Sequence, residues 1–420
     1  MKLLLLSIIF ACLHTALFSA PVLKLSQQTS NSLKVQSVDY YSSQRRIPLE
    51  RVIKIWYTKK FSQKKFNYFN AGISSSYHYL HFRYEILDNS HWVLELPFPA
   101  LVELEILQIT KSGSRKRLST GFEKINSEKL LTGFYQFPLL AQDREGDIFI
   151  QLRCYDPLTT PILLWKQKAK PHFDMIRSIL FGIFYGVIAS LSLYNFLLFV
   201  TIKDRAYLYY VGYTLSYGFF LLYMFGHGNV LLEKLQISYS RKLMPVLAIS
   251  TSIFGLAFAR KFLNVYEFHY KLWKLSFLVI AIAIVFFMGI PFLPMKIIVF
   301  FGNIHPLTST ALILSFTIIA IRKRYKPAYY FSIAWYGLLV SALLYILSNL
   351  NVLEANFYTL YLQFPAMALE AILLSLALGY RINTLRRKEE QTKKDMLAKE
   401  ILARKKQETL SQSFKRFVPE

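Results

Sequence analysis

Apolar residues recur along this chain in two rhythms. Between about Arg51 and Lys168 the runs are short and alternating: HWVLELPF (His91–Phe98), LVELEILQI (Leu101–Ile109) and DIFIQLRCY (Asp147–Tyr155). Period two is the mark of half-buried strands. Turn chemistry separates the runs, with LDNS at 87–90, PFPA at 97–100, KSGS at 111–114 and DREGD at 143–147. Residues 51–170 are therefore predicted to form a β-sandwich or jelly roll, with no helical periodicity of useful length inside it. The preceding residues 21–50 are polar and rich in Ser and Gln, and are expected to form a loose N-terminal arm.

From Met175 onward the rhythm changes to long apolar runs. Seven spans are predicted, at about 176–201, 206–226, 243–259, 275–293, 297–321, 328–349 and 358–380. Each is long enough to cross about 30 Å of hydrocarbon at about 1.5 Å per residue. The third is diluted by ISTS (Ile249–Ser252). Together residues 175–380 form the predicted seven-helix domain. Residues 381–420 are helix formers, with neither Gly nor Pro until Pro419. A heptad threads through Ile382, Leu385, Glu389, Thr392, Met396, Lys399, Ala403, Lys406 and Leu410, but only about half of these seam positions are apolar. Two expectations stand for this tail: a solvated basic helix near anionic lipid, or a signalling helix and coiled-coil linker through which a homodimer forms.

Composition agrees with a polytopic membrane protein. The chain is 54% hydrophobic and 16% aromatic, with formal net charge +25. The basic residues cluster beside the apolar runs, as membrane-flanking charge does, so nucleic acid is not an expected partner. Residues 1–20, MKLLLLSIIFACLHTALFSA, have the form of a secretory signal peptide. Phe18 departs from the small residue usual before a cleavage site, and IFAC (Ile9–Cys12) is a loose lipoprotein box, leaving open whether Cys12 is lipidated. The only other cysteine is Cys154, so no internal disulfide remains once the peptide is removed. With the N-terminus outside, the inner loops collect Lys203, Arg205, Arg260, Lys261, Lys271, Lys274, Arg322, Lys323, Arg324 and Lys326. The outer loops hold only Lys234, Arg241, Lys242 and Lys296. The positive-inside rule thus predicts an extracytoplasmic β-domain and a cytoplasmic C-terminus, and membrane lipids are expected neighbours.

The stretch GIFYGVIASLSLYNFLLFVTIKDRAYLYYVGYTLSYG (182–218) resembles the first helix pair of the bacterial seven-transmembrane receptors with diverse intracellular signalling modules. The likeness rests on Gly182 and Gly186, Tyr194–Asn195, Lys203–Asp204–Arg205 and Tyr207–Leu208–Tyr209–Tyr210. AMALEAILLSLALGYRINTLRR resembles the family's last helix through Glu370, Ser375, Ala377–Leu378 and Arg381–Ile382. HWVLEL, Thr120–Gly121 and DIFIQL resemble its second type of extracellular domain, a jelly roll likened to carbohydrate-binding modules. The resemblance implies an inner-membrane receptor that senses a small extracytoplasmic ligand, a carbohydrate among the candidates, and drives a cytoplasmic output module. In the family that module is a cyclase, a diguanylate cyclase, a histidine kinase or a phosphatase. SFKRFVPE (413–420) resembles the segment leading into nucleotide-cyclase catalytic domains, so the output is expected to be a nucleotide cyclase that these residues do not contain. The fold expected is an α-helical seven-transmembrane bundle with an N-terminal all-β, jelly-roll-like extracytoplasmic domain and a C-terminal cytoplasmic helix.

Candidate chemistry is sparse. Glu370 lies within the last span, where a carboxylate costs about 3 kcal/mol on insertion scales and should face protein. Ala366 and Ala377 share its face and permit close approach. Counting about 1.5 Å per residue from the inner ends of the helices puts Glu370 level with Ser192 and near Asn195. Tyr194, Asn195 and Ser192 are therefore its expected partners, with Ser375 and Arg381 completing the candidate signal-transmission set. A structural hydrogen bond and a bistable contact are both compatible with this pattern. Trp56, Trp92 and Trp165 are candidates for stacking on a sugar, against core packing, which the alternating strand favours for Trp92. His78 and His81 fall on opposite faces of a strand and are not expected to share a metal. His305 beside Pro306 fits packing or a kink, and no His follows it to serve as a phosphoacceptor. The last span holds no Lys for a retinal Schiff base. No Gly-rich phosphate loop, Ser–His–Asp set or metal cluster is visible, so neither enzymatic activity nor a cofactor is expected of these 420 residues. A transporter or channel-like protein is the alternative, against which stand the single intramembrane acid and the lack of an evident inverted repeat.

Overall fold

The computed structural model describes residues 22–26, 30–58, 60–72, 74–99, 101–121, 134–140, 143–154, 157–228 and 242–417. The expected signal peptide lies outside these residues, as do Lys234 and Arg241 of the outer loop and the last residues of SFKRFVPE.

The chain opens with β1 (Leu23–Leu25), β2 (Ser32–Lys34) and β3 (Ser37–Ser43), then a helix α1 (Leu49–Tyr57). Next come β4 (Ser62–Lys65), β5 (Phe69–Gly72), β6 (Tyr77–Ile86), β7 (Trp92–Leu96), β8 (Glu103–Thr110) and β9 (Arg115–Thr120). β10 (Tyr135–Pro138), β11 (Glu145–Arg153), β12 (Leu158–Thr160) and β13 (Leu163–Lys166) complete the domain. The larger sheet runs β4-β3-β6-β11-β8-β9, with β1 added in parallel at the far end of β6. The smaller sheet runs β10-β7-β13-β2, and β5 pairs with β12 as a separate ribbon. Alternation decides what each face does. Leu80, Phe82 and Tyr84 of β6, Leu104 and Ile106 of β8 and Ile148, Ile150 and Leu152 of β11 meet Trp92, Leu94 and Leu96 of β7 between the sheets. The opposite face of the larger sheet offers Tyr77, Tyr79, Leu107 and Phe149, which are covered by Leu49 and Val52 of α1.

Two expectations change here. Most of the segment read as a polar arm is built into the sandwich, because β3 pairs with both β4 and β6. Its polar residues are buried in pairs: Asp39 Oδ2 accepts from Trp56 Nε1 at 2.9 Å and lies 3.0 Å from His81 Nδ1. A polarity count cannot see that pairing. The second change is α1 itself, which interrupts the strands. At nine residues and with β-branched Val52, Ile53 and Ile55, its apolar stripe is too short to separate from strand alternation.

Seven long helices follow among the described residues: α2 (Lys170–Ile202), α3 (Arg205–Met224), α4 (Leu243–Phe262), α5 (Tyr270–Gly289), α6 (Met295–Arg322), α7 (Lys326–Asn349) and α8 (Gln363–Phe417). Six are long and apolar enough to cross a membrane by length and composition; α3, with six tyrosines, is not among them. α5 begins at Tyr270, earlier than expected, where the His269 side chain caps it, and it stops before Pro291 and Pro294. The last span divides: a short helix Phe357–Tyr361, closed by an Asn356–Thr359 capping box, precedes α8. α8 then runs unbroken through Gly379 for 55 residues. The bundle core gathers aromatic residues such as Tyr207, Tyr210, Phe258, Phe262, Phe316 and Phe331. α5 contributes little to it and lies at the periphery.

Candidate functional site

α2 has 33 residues, about 50 Å, which exceeds the thickness of hydrocarbon, and its first turns reach the β-domain. Lys170, Phe173, Asp174 and Arg177 are spaced as one helical stripe. That stripe lies against the outer face of the smaller sheet, where Val93 and Glu95 of β7 alternate with the inward Trp92 and Leu94. Glu95 has 0% exposure, and its Oε1 meets both Lys170 Nζ and Arg177 Nη1 at 3.0 Å. Asp174 pairs with the same two cations and accepts from Gln136 Nε2 of β10 at 3.2 Å. Trp165 of β13 packs on Phe173, and the Arg177 guanidinium lies 4.4 Å from the Phe134 ring centre. A second attachment joins β5 to the end of α7, where Asn70 Nδ2 donates to the Ser348 carbonyl oxygen at 2.8 Å. The β-domain is thus fastened to two transmembrane helices by buried polar contacts.

The middle of the bundle carries a second polar layer. Glu370 of α8 is fully buried, and its Oε1 accepts from the Tyr213 hydroxyl of α3 at 2.9 Å. Tyr210, one turn earlier, donates to the Ala371 carbonyl oxygen at 2.6 Å. Asn195 of α2 donates to Ser375 Oγ of α8 at 3.1 Å, and Ser192 is 3.0 Å from Thr214 of α3. The expected partner of Glu370 is therefore corrected from the first span to the second. Depth alone selected the right layer, since Tyr213 is eight residues into α3, about 12 Å from its inner end. Depth does not give direction around the bundle, and Tyr213 reaches farther than Ser192 or Asn195. Tyr194 is 53% exposed on the outer side of α2 and bonds none of these residues. His305 packs in the core, its Nδ1 2.6 Å from Ser252 Oγ.

At the end away from the β-domain, Arg381 of α8 closes a third layer. Its Nη1 lies 3.1 Å from Asp204 Oδ2 in the α2–α3 turn, and its Nη2 donates to the Lys261 carbonyl oxygen of α4 at 3.4 Å. The Tyr325 side chain before α7 is also hydrogen-bonded to it. Asp204 itself caps α3 by accepting from Ala206 N at 2.9 Å. The sequence-derived residues Asn195, Ser192, Ser375, Glu370 and Arg381 thus all fall on buried contacts that involve α2 or α8.

The tryptophans do not form a platform. Trp92 is sealed in the sandwich core, and Trp165 is buried under α2. Trp56 is half-buried between His81 and Phe149, with its N–H committed to Asp39. His78 and His81 take opposite faces of β6. His78 Nδ1 is 2.9 Å from the Tyr40 hydroxyl, and His81 bridges Asp39 and Asp147. Among the described residues no cluster of His, Cys, Asp and Glu is gathered closely enough to hold a metal ion.

Sequence reasoning missed Glu95, Lys170, Asp174 and Arg177. The signal was present in the Lys170/Phe173/Asp174/Arg177 spacing just ahead of the first apolar run, where charge was read only as a membrane flank. The buried polar contacts thus join the smaller sheet to α2, α2 and α3 to α8, and α8 to the α2–α3 turn. A family model for seven-transmembrane domains with diverse intracellular signalling matches residues 177–381, and one for the second extracellular domain of such receptors matches residues 31–166. No curated protein matches the chain.

Proposed function

Because the chain belongs to the seven-transmembrane receptors with diverse intracellular signalling modules, and carries their second type of extracellular domain, we propose how it works as a transmembrane sensory receptor. The β-domain binds a small extracytoplasmic ligand, with a carbohydrate the leading class on the family likeness. Binding shifts the smaller sheet, and the Glu95–Lys170–Arg177 cluster passes that shift to α2. From α2 it crosses to α8 through Asn195–Ser375, while α3 holds α8 through Tyr213–Glu370. α8 carries the motion past Arg381 into the cytoplasm, where two copies pair through their α8 extensions. The output is a nucleotide cyclase, the reading supported by SFKRFVPE. The observation that carries this proposal is the buried charge cluster tying the sheet to α2, because a ligand shifts an equilibrium only through contacts that differ between two states.

The test joins a nucleotide-cyclase catalytic domain after α8 and measures cyclic nucleotide against a panel of neutral oligosaccharides. A sugar that changes output in the unaltered receptor should leave it unchanged in Glu95→Gln, with the protein still in the membrane. Undiminished sugar-dependent output in that variant refutes the route; a panel without effect refutes the carbohydrate class.

A further inference from the structure

A groove of about 600 Å³ opens between the last turns of α2 and the first turns of α3, at the bundle end away from the β-domain. Its walls are Phe199, Val200, Leu208 and Tyr209, and its rim is Lys203 and Arg205. The wall residues Val200 and Leu208 are exposed on the outer surface of the bundle, so the groove faces lipid. Lys203 caps α2 in the left-handed conformation, with φ of 60°, and the tight turn that results brings both cations to one rim.

The charge around this groove is unbalanced. Asp204, between the two cations, is committed to Ala206 N and Arg381. Among the described residues no carboxylate pairs with Lys203, Arg205 or Arg260. Arg260 stands behind Tyr209, whose hydroxyl is hydrogen-bonded to it. Its guanidinium lies 5.8 Å from the Trp273 ring centre and 5.6 Å from that of Phe277, and its buried Nη1 has no partner there. Two cations without an acid therefore rim an apolar, aromatic-walled slot, and a third, Arg260, stands behind its Tyr209 wall. A phosphodiester satisfies the guanidinium and ammonium groups, and an acyl chain lies along Phe199, Val200 and Leu208. A zwitterionic headgroup would bring its own cation into a site already in surplus. We propose that this groove is a binding site for the headgroup of an anionic phospholipid of the adjacent leaflet.

The test uses the full chain purified in detergent, read by native mass spectrometry and by melting temperature. Dioleoyl phosphatidylglycerol and dioleoyl phosphatidylcholine are added in parallel. Expected is about tenfold tighter binding of phosphatidylglycerol, from the summed attraction of the cations, together with a rise in melting temperature, since the lipid binds the folded state. Combining Lys203→Gln with Arg205→Gln, both exposed positions, should reduce phosphatidylglycerol to the phosphatidylcholine level without lowering the lipid-free melting temperature. Arg260→Gln should do the same, and if that variant unfolds, the exposed pair decides alone. Combining Arg322→Gln with Lys323→Gln, in the α6–α7 turn at the same end, should retain the preference. Equal binding of the two lipids overturns the proposal, as does a preference that survives Lys203→Gln with Arg205→Gln. Equal loss in the α6–α7 control assigns the effect to diffuse surface charge and also overturns it. A melting shift from inorganic phosphate as large as that from phosphatidylglycerol assigns the site to a free anion instead.

Discussion

Glu95→Ala is the most informative single perturbation of the junction. The carboxylate has no exposed surface, and it meets Lys170 and Arg177 through one oxygen at 3.0 Å each. Removing one partner from a buried ion pair costs about 3–5 kcal/mol when the remaining charge is left alone. Here Asp174 still contacts both cations, so about 2–3 kcal/mol is the expected loss of stability. Glu50→Ala is the contrast: its pair with Arg117 is half-exposed on both sides, and the loss should stay below about 1 kcal/mol. The assay is a double-mutant cycle with Glu95→Gln and Lys170→Met, followed by denaturant unfolding of the membrane protein in detergent. Hydrogen exchange across β7 and the first turns of α2 localises the loosening. The expected coupling energy is about 1.5–3 kcal/mol. Additivity within about 0.5 kcal/mol, or a Glu95→Ala loss no larger than that of Glu50→Ala, would refute the idea that this cluster fastens the two domains.

Two further outcomes are expected. Tyr213→Phe removes the donor to Glu370 and leaves a buried carboxyl oxygen unsatisfied, lowering stability by about 1–2 kcal/mol in the same unfolding assay, whereas Tyr194→Phe, on the outer side of α2, should be silent. The β-domain should lose stability on acidification, because burial, followed by the nearby Lys64 charge, pushes His78 down to about 4 from an ordinary 6.5. The unfolded chain takes up a proton below about pH 6.5 that the folded one refuses until about pH 4, so up to about 3 kcal/mol disappears across that window. Asp147 adds to the loss at lower pH still: burial works to raise it, but hydrogen bonds and charge from His81 and Arg83 hold it below the usual carboxylate range. Melting by tryptophan fluorescence between pH 7.5 and 4.5 should show a slope that His78→Gln flattens, and an unchanged slope in that variant would count against the assignment.

The large features were legible because they rest on long repetition. Seven apolar runs and an alternating region give bundle and sandwich directly, and Glu370 announces itself as an acid within an apolar helix. Short or paired features were not. β1, β2 and α1 are three, three and nine residues long, below the length at which a period declares itself. Asp39 and His81 look like surface residues until the sheet register places them opposite each other. The same holds for Glu95, an outward-facing acid in an alternating strand, which is ordinary until a helix with Lys170 and Arg177 is laid across it. Tyr213 lay among six tyrosines of α3, and only the rotational setting of that helix singles it out.

Between Arg381 and Phe417 α8 continues for 36 residues beyond its last clamp, about 54 Å of helix. That length is a lever arm. A tilt of about 5° at the Arg381 fulcrum carries the far tip sideways by about 5 Å. On the proposed relay, events at the β-domain can therefore stay as small as the play in a hydrogen bond and still arrive as a displacement comparable to the width of a side chain.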